Sequence, residues 1–397
     1  MMNPDFQAGM AEATRLTQAG RLAEAASLIQ RLLNGGPVAA GAEPAPTHAG
    51  PLIDLEPVSV SYGDAHTADP APPPRPKART PRGMPAGLSG NLADTLNQAL
   101  GKGWTMPGKH GRTVPVPEGA RFEELVFSNE AGSRSYKLYV PAKKPEGPLP
   151  LVLMLHGCTQ SPDDFAIGTG MNKVAEEHGF LVAYPAQPQS ANAQKCWNWF
   201  NPADQQRDGG EPSILAGIVK HLVREHGADP ARVYVAGLSA GGAAAAVMGA
   251  AYPDLFAAVG VHSGLACGSA RDIPSAFQAM RQGAKGKRAK GVPTIVFHGD
   301  RDSTVHPSNA DAVLAQAGAS AKGLASASEQ GRSPAGQPFT RTLYRDGKGR
   351  VVHEHWTLHG AGHAWAGGDP AGSYTDKSGP DASRAMAAFF LSHRHKA

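Results

Sequence analysis

The stretch Val233-Tyr234-Val235-Ala236-Gly237-Leu238-Ser239-Ala240-Gly241-Gly242 constrains this chain most. It opens as an uncharged run of β-branched and aromatic residues, the signature of a buried strand. It then narrows to Gly237-Leu238-Ser239-Ala240-Gly241 and passes at once into Ala243–Met248, a strong helix-forming segment. Strand, tight turn and helix therefore meet at Ser239. A serine at such a junction sits on a strained backbone, and glycines two residues before and after leave room for it; this is the G-x-S-x-G elbow of a nucleophilic serine. The bland alternative is a small-residue strand-to-helix turn.

A serine hydroxyl needs a base to take its proton and a carboxylate to orient that base. Downstream, Val292–Phe297 reads as another buried strand and stops in His298-Gly299-Asp300-Arg301-Asp302. Glu354–Leu358 reads as a strand and is followed by His359-Gly360-Ala361-Gly362-His363-Ala364-Trp365. Open α/β sheets place their sites at the carboxyl ends of strands, and the order serine, acid, histidine holds here. Asp302 is the expected acid, with Asp300 as alternative because it can bond to its own turn backbone. His363 is the expected base, in a glycine-rich loop after the last strand, with His359 as second choice because it can simply cap the strand end.

The oxyanion of acyl transfer needs two backbone donors. The N–H of Ala240, directly after the serine, is one. Leu151–Leu155 reads as an earlier strand, and the loop after it, His156-Gly157-Cys158-Thr159-Gln160, offers the Cys158 N–H as the other. Together, His156-Gly157-Cys158-Thr159-Gln160, Gly237–Gly242, His298-Gly299-x-x-Asp302 and Gly362-His363-Ala364-Trp365 resemble the polyhydroxybutyrate depolymerase family of esterases, which is similar to the feruloyl and acetylxylan esterases. The resemblance runs from about Phe122 to His393 in the family's order. It implies an α/β-hydrolase fold, a Ser239–Asp302–His363 triad, and hydrolysis of carboxylic esters, with poly(3-hydroxybutyrate) or its oligomers as the expected substrate and without metal or cofactor. Feruloyl, acetylxylan or general short-chain esters are the alternative.

Strands alternate with helices along residues 116–397, which predicts a mostly parallel, doubly wound sheet. An antiparallel pair, Phe122–Phe127 and Ser135–Val140, leads it. Helices are expected over Asp163–Glu177, Glu211–Glu225 and Asp381–His393, and further strands over Phe180–Tyr184 and Phe256–His262. The long loop Gln187–Gly210 carries Cys196-Trp197-Asn198-Trp199-Phe200, and long loops at that edge usually serve binding. Trp197 and Trp199, with Trp365, are therefore expected as walls for the ester, or else as a minicore of the loop. Gly264–Lys290 is a second insertion, expected at a lid or rim.

The N-terminal third reads differently. Residues 1–33 form two short amphipathic helical patterns around Gly20, a hairpin that cannot bury its own face. A homo-oligomer contact or a polymer granule is its expected partner. Residues 34–115 read as linker: Asn34–Pro85 holds twelve of the 34 prolines, and Leu88, Leu92, Leu96 and Leu100 mark one short helix near 88–101.

The net charge of +4 is too mild to argue for nucleic acid. No run approaches the roughly 18 apolar residues of a membrane span, and residues 1–7 lack the basic-then-apolar pattern of a signal peptide. The expectation is a cytoplasmic protein, unless exported by another route. Cys158, Cys196 and Cys267 make no metal site of known spacing. One bond is open to them, since Cys158 and Cys196 can both lie at the carboxyl edge of the sheet, but a reducing compartment predicts free thiols. Two rival functions remain: a decayed hydrolase acting as a binding protein at a granule or complex, against which the intact triad argues, and a cysteine enzyme using Cys158, for which no histidine is patterned.

Overall fold

The computed structural model describes residues 113–143, 145–287 and 291–395. The hairpin at residues 1–33, and the linker up to residue 112 with its helix near 88–101, lie outside the described residues.

Ten strands form one sheet: β1 (Arg121–Asn129), β2 (Gly132–Val140), β3 (Leu149–Leu155), β4 (Leu181–Pro185), β5 (Ala228–Leu238), β6 (Ala258–His262), β7 (Thr294–Gly299), β8 (Ala325–Arg332), β9 (Pro338–Arg345) and β10 (Val351–Leu358), in the order β1-β2-β4-β3-β5-β6-β7-β10-β9-β8. The run β4-β3-β5-β6-β7-β10 is parallel throughout. Antiparallel pairs flank it, β1–β2–β4 on one side and β10–β9–β8 on the other. The short strands β11 (Trp365–Ala366) and β12 (Thr375–Asp376) pair separately beyond the sheet.

Helices cover both faces: α1 (Pro162–Thr169), α2 (Met171–His178), α3 (Gly210–Glu225), α4 (Ala240–Ala251), α5 (Ile273–Gln282), α6 (Ser308–Ala317) and α7 (Ala382–Leu391). Val233 and Val235 of β5 pack with α3, α4 and α6, while Tyr234, Ala236 and Leu238 pack with α1, α2 and α7. That alternation of two buried faces explains why the central strands read as unbroken apolar runs. On the second face α7 comes very close to the sheet: a Cβ on Gly260 of β6 would meet Met386 Sδ at 2.8 Å and Phe390 Cζ at 2.9 Å. Phe390 also stacks on Tyr234, ring centroids 5.1 Å apart.

The helix expected over Asp163–Glu177 is two helices. Gly170, at φ 63°, ends α1 and starts α2, in the left-handed region that glycine enters without a Cβ clash. The β8–β9 hairpin was not anticipated. β8 (ASASEQGR) is almost wholly exposed and carries no apolar alternation to betray a strand.

Candidate active site

Ser239 stands between β5 and α4 with φ 58° and ψ −119°, a conformation that costs a non-glycine residue on the order of 1–3 kcal/mol and survives only where its surroundings enforce it. They do so tightly. A Cβ on Gly237 would lie 2.3 Å from the Gly241 carbonyl, and one on Gly241 would lie 2.0 Å from Leu155 O, so neither position tolerates a side chain. The Ser239 N–H donates to His262 O at 2.9 Å, tying the turn to the end of β6.

The loops after β7 and β10 bring the next two residues together. His363 Nδ1 donates to Asp302 Oδ2 at 2.7 Å. Asp302 Oδ1 accepts the N–H groups of Thr304 and Val305, each at 2.9 Å, and His298 Nε2 lies 3.4 Å from Oδ2. Burial alone would push the Asp302 carboxyl up, but the charge and hydrogen bonds of His363 and His298 outweigh it and hold the group well below the usual carboxylate range. The alternatives, Asp300 and His359, pair with each other instead: His359 Nδ1 donates to Asp300 Oδ2 at 2.9 Å and Gly360 N–H to Oδ1 at 2.7 Å. Asp300 thus braces a turn, and His359 shares its other ring nitrogen with Thr340 Oγ1 at 2.8 Å.

The loop after β3 is equally constrained. His156 is buried; its Nε2 accepts the Gln187 N–H at 3.1 Å, so its Nδ1 carries the proton and donates to Gly157 O at 2.7 Å. Burial pulls this imidazole down to about 4. Gln160 accepts the Gly157 N–H at 2.8 Å and donates through Nε2 to Asp164 at 2.9 Å and Ser373 O at 3.1 Å. Thr159, at φ 67°, donates its N–H to Gln194 O at 2.7 Å and meets the Tyr374 hydroxyl at 2.9 Å. Between these anchors the Cys158 N–H has no acceptor among the described residues. Ala240, the first residue of α4, presents an N–H of the kind a helix start leaves without an intrahelical acceptor.

A cavity of about 150 Å³, open to solvent, contacts Ser239, Ala240, Cys158 and Trp199. Trp197 and Trp365 do not line it. Both are fully buried: Trp197 donates to His156 O at 3.1 Å, and Trp365 donates to Ser383 Oγ at 3.1 Å and packs on Phe165 and His262. They are core residues, and of the three expected walls Trp199 alone reaches the cavity. The thiol expectation is also corrected: Cys158 and Cys196 form a disulfide, with Cα atoms 4.2 Å apart, and both border the cavity. Cys267 is a buried free thiol.

Sequence reasoning missed His262. Its ring lies between Phe297 and Trp365, its Nε2 accepts the Ala366 N–H at 3.0 Å, and burial pulls it down to about 3. A histidine closing a buried strand beside the elbow strand was the available signal, with no motif to single it out.

A mostly parallel sheet with a strained serine elbow after one strand, and an acid and a histidine paired after two later ones, defines the α/β-hydrolase fold. The structure is similar to that of the acetyl xylan esterase from Aspergillus awamori, with a TM-score of 0.51 and 22% identity over 61% of this chain and 94% of that one, a likeness of fold. Residues 134–335 match the family described as "Esterase PHB depolymerase", and the chain belongs to that family. It is 33% identical to the poly(3-hydroxyalkanoate) depolymerase C of Paucimonas lemoignei, over 60% of each chain. It is 31% identical to the poly(3-hydroxybutyrate) depolymerase of Ralstonia pickettii, over 63% of this chain and 55% of that one. To the feruloyl esterase B of Thermothelomyces thermophilus it is 29% identical, over 49% of this chain and 72% of that one. The chain thus spans less than two thirds of the length of the two depolymerases. Among the described residues no helix is long and apolar enough to cross a membrane.

Proposed function

We propose that this chain is a serine esterase that hydrolyses carboxylic esters through an acyl-enzyme, with poly(3-hydroxybutyrate) or its oligomers as substrate. The observation that carries the reading is the 2.7 Å bond from His363 Nδ1 to the buried Asp302, at the same sheet edge as a serine on a strained elbow. The depolymerase relatives support the substrate.

In this mechanism Ser239 Oγ attacks the ester carbonyl carbon while His363 Nε2 takes its proton. Asp302 fixes the tautomer in which Nε2 carries no proton and can act as base, and it stabilises the imidazolium that forms. The N–H groups of Cys158 and Ala240 receive the negative oxygen. The tetrahedral adduct collapses, the alcohol leaves with the proton from His363, and the acyl group stays on Ser239. Water, deprotonated by His363, then attacks the acyl carbon; the acid departs and Ser239 regains its proton.

Ser239→Ala tests the reading. The purified variant should stay folded and lose at least about three decades of turnover, and a fluorophosphonate should label Ser239 in the parent and nothing in the variant. Comparing 3-hydroxybutyrate oligomers and polymer granules with feruloyl and acetylxylan esters tests the substrate. Residues 1–33 are part of the proposal as the segment that joins copies of the chain or docks it on a granule. Their deletion should lower oligomer size or granule co-sedimentation and leave soluble-ester turnover unchanged; unchanged mass and sedimentation would refute the role.

A further inference from the structure

We infer that the cavity beside Ser239 is an acyl pocket for an uncharged, apolar chain several carbons longer than acetyl, with α5 as its specificity wall. The inference rests on the reading of Ser239 as an esterase nucleophile.

Which half of the ester enters follows from proton traffic. His363 must hand its proton to the departing alcohol, so the alcohol lies on the histidine's side. The cavity borders Ser239 together with Cys158 and Ala240 and then runs to Leu265, Val305 and α5; His363 is not among its lining residues. The acyl group is the part that points into it.

The lining sets the chemistry. No Asp, Glu, Lys, Arg or His contributes to it, so a charged acyl group would be desolvated without a partner. Asn192 does line it, but its polar atoms serve its own loop: Nδ2 donates to Asn198 Oδ1 at 2.9 Å, and Oδ1 accepts the N–H groups of Gln194 and Cys196 at 3.0 and 3.3 Å. Gln194 also lines the cavity, and beyond its amide few polar side chains remain to bind a sugar ring or a carboxylate. A hydroxyl on the chain is a lesser matter, because an apolar pocket rejects an added hydroxyl only weakly.

The far wall is one face of one helix. Ile273, Ala276, Phe277 and Met280 of α5 line the cavity, and their spacing of three and four residues places them on the same side. That wall is fixed. Asp272 and Ser275 form a reciprocal cap at its start; near its end Asn309 donates to Ala279 O at 2.9 Å and His306 N–H to Met280 O at 2.7 Å. Ile273, 46% exposed, forms an apolar lip. An acetyl group leaves most of this space unused, whereas each further methylene buried there should raise kcat/KM by about fourfold.

The test uses the full chain and the p-nitrophenyl esters of acetic, butanoic, hexanoic and octanoic acids, with the succinic half-ester as the charged probe. The expected result is a rise of at least about tenfold in kcat/KM from acetate to hexanoate, with the succinate ester below butanoate. Ala276→Phe fills the cavity and should cut the hexanoate-to-acetate ratio at least about tenfold. Phe277→Ala, at a half-buried position, should move the optimum to a longer chain, and it decides the matter if the first variant does not fold. A flat or falling profile in the parent, a succinate ester that matches butanoate, or a ratio unmoved in the folded variants overturns the inference. Ser239→Ala separates this from failure of the esterase reading: residual turnover there sinks that reading, whereas a dead variant beside a flat parent profile sinks only the pocket.

Discussion

His262 accepts the backbone N–H of Ala366 through its Nε2 at 3.0 Å, three residues beyond His363, while its own carbonyl accepts the N–H of Ser239 at 2.9 Å. One buried residue at the end of β6 thus holds the proposed nucleophile's turn with its backbone and the proposed base's loop with its ring. The carbonyl contact survives any substitution; the ring contact does not.

His262→Phe keeps the stacking surface against Phe297 and Trp365 but removes the acceptor for Ala366. Kcat should fall by at least about tenfold with KM nearly unchanged, since misplacement of a catalytic group costs rate more than binding. His262→Gln, which can present an amide oxygen to the same N–H, should recover part of it. Equal kcat in the Phe variant and the parent would dismiss the role.

Asp302→Asn and Asp300→Asn should separate cleanly. The first leaves His363 facing a neutral amide and should lower kcat by about three to four decades, as loss of a triad carboxylate does. The second loses only the brace to His359 and Gly360 and should stay within about tenfold of the parent, with a lower melting temperature. Steady-state kinetics and calorimetry on both variants check this; the reverse ranking would move the acid to Asp300.

Much of this arrangement is legible in the chain. Five of the six parallel strands announce themselves because both faces of their cores are buried, and the elbow because its glycines answer close backbone contacts. Asp302 and Asp300 are indistinguishable by spacing alone, and only the partners each one meets separate them. Trp197 and Trp365 misled because an aromatic in a loop reads the same whether it faces a cavity or anchors the loop to the core. The disulfide joins the pair the sequence offers, Cys158 and Cys196; the expectation of free thiols came from the assumed reducing compartment, which residue spacing does not decide. β8 could not be read, because its polar exposed sequence resembles any loop.

The buried histidines set the acid limit of the fold. Burial lowers His156 to about 4 and His262 to about 3, against about 6.5 in the unfolded chain. Between those values the unfolded state binds more protons, so stability is full above about pH 6.5 and is lost as the pH falls, by roughly 3 kcal/mol per histidine near pH 4. Melting temperature should therefore drop steeply from pH 6.5 to 4, and less steeply in His156→Gln. A flat profile over that range would contradict the buried neutral assignment.

The disulfide predicts a thiol count. Alkylation of the denatured, unreduced protein should label Cys267 alone, and labelling after reduction should reach all three cysteines. Closing a loop of this size is worth about 4 kcal/mol on chain entropy. Reductant should lower the melting temperature and also kcat, because Cys158 carries a proposed oxyanion donor. Three labelled thiols without reductant would refute the bond.

The strand order also dictates when activity can begin. β10, which pairs with β7, follows β8 and β9 in the chain, and α7, which packs on Gly260 and Tyr234, follows β10. At translation speeds of about 5–20 residues per second, on the order of ten seconds separate the emergence of Ser239 from that of His363. Throughout that interval the nascent chain carries the proposed nucleophile without the proposed base, so no step of the proposed reaction can run until the loop after β10 has emerged.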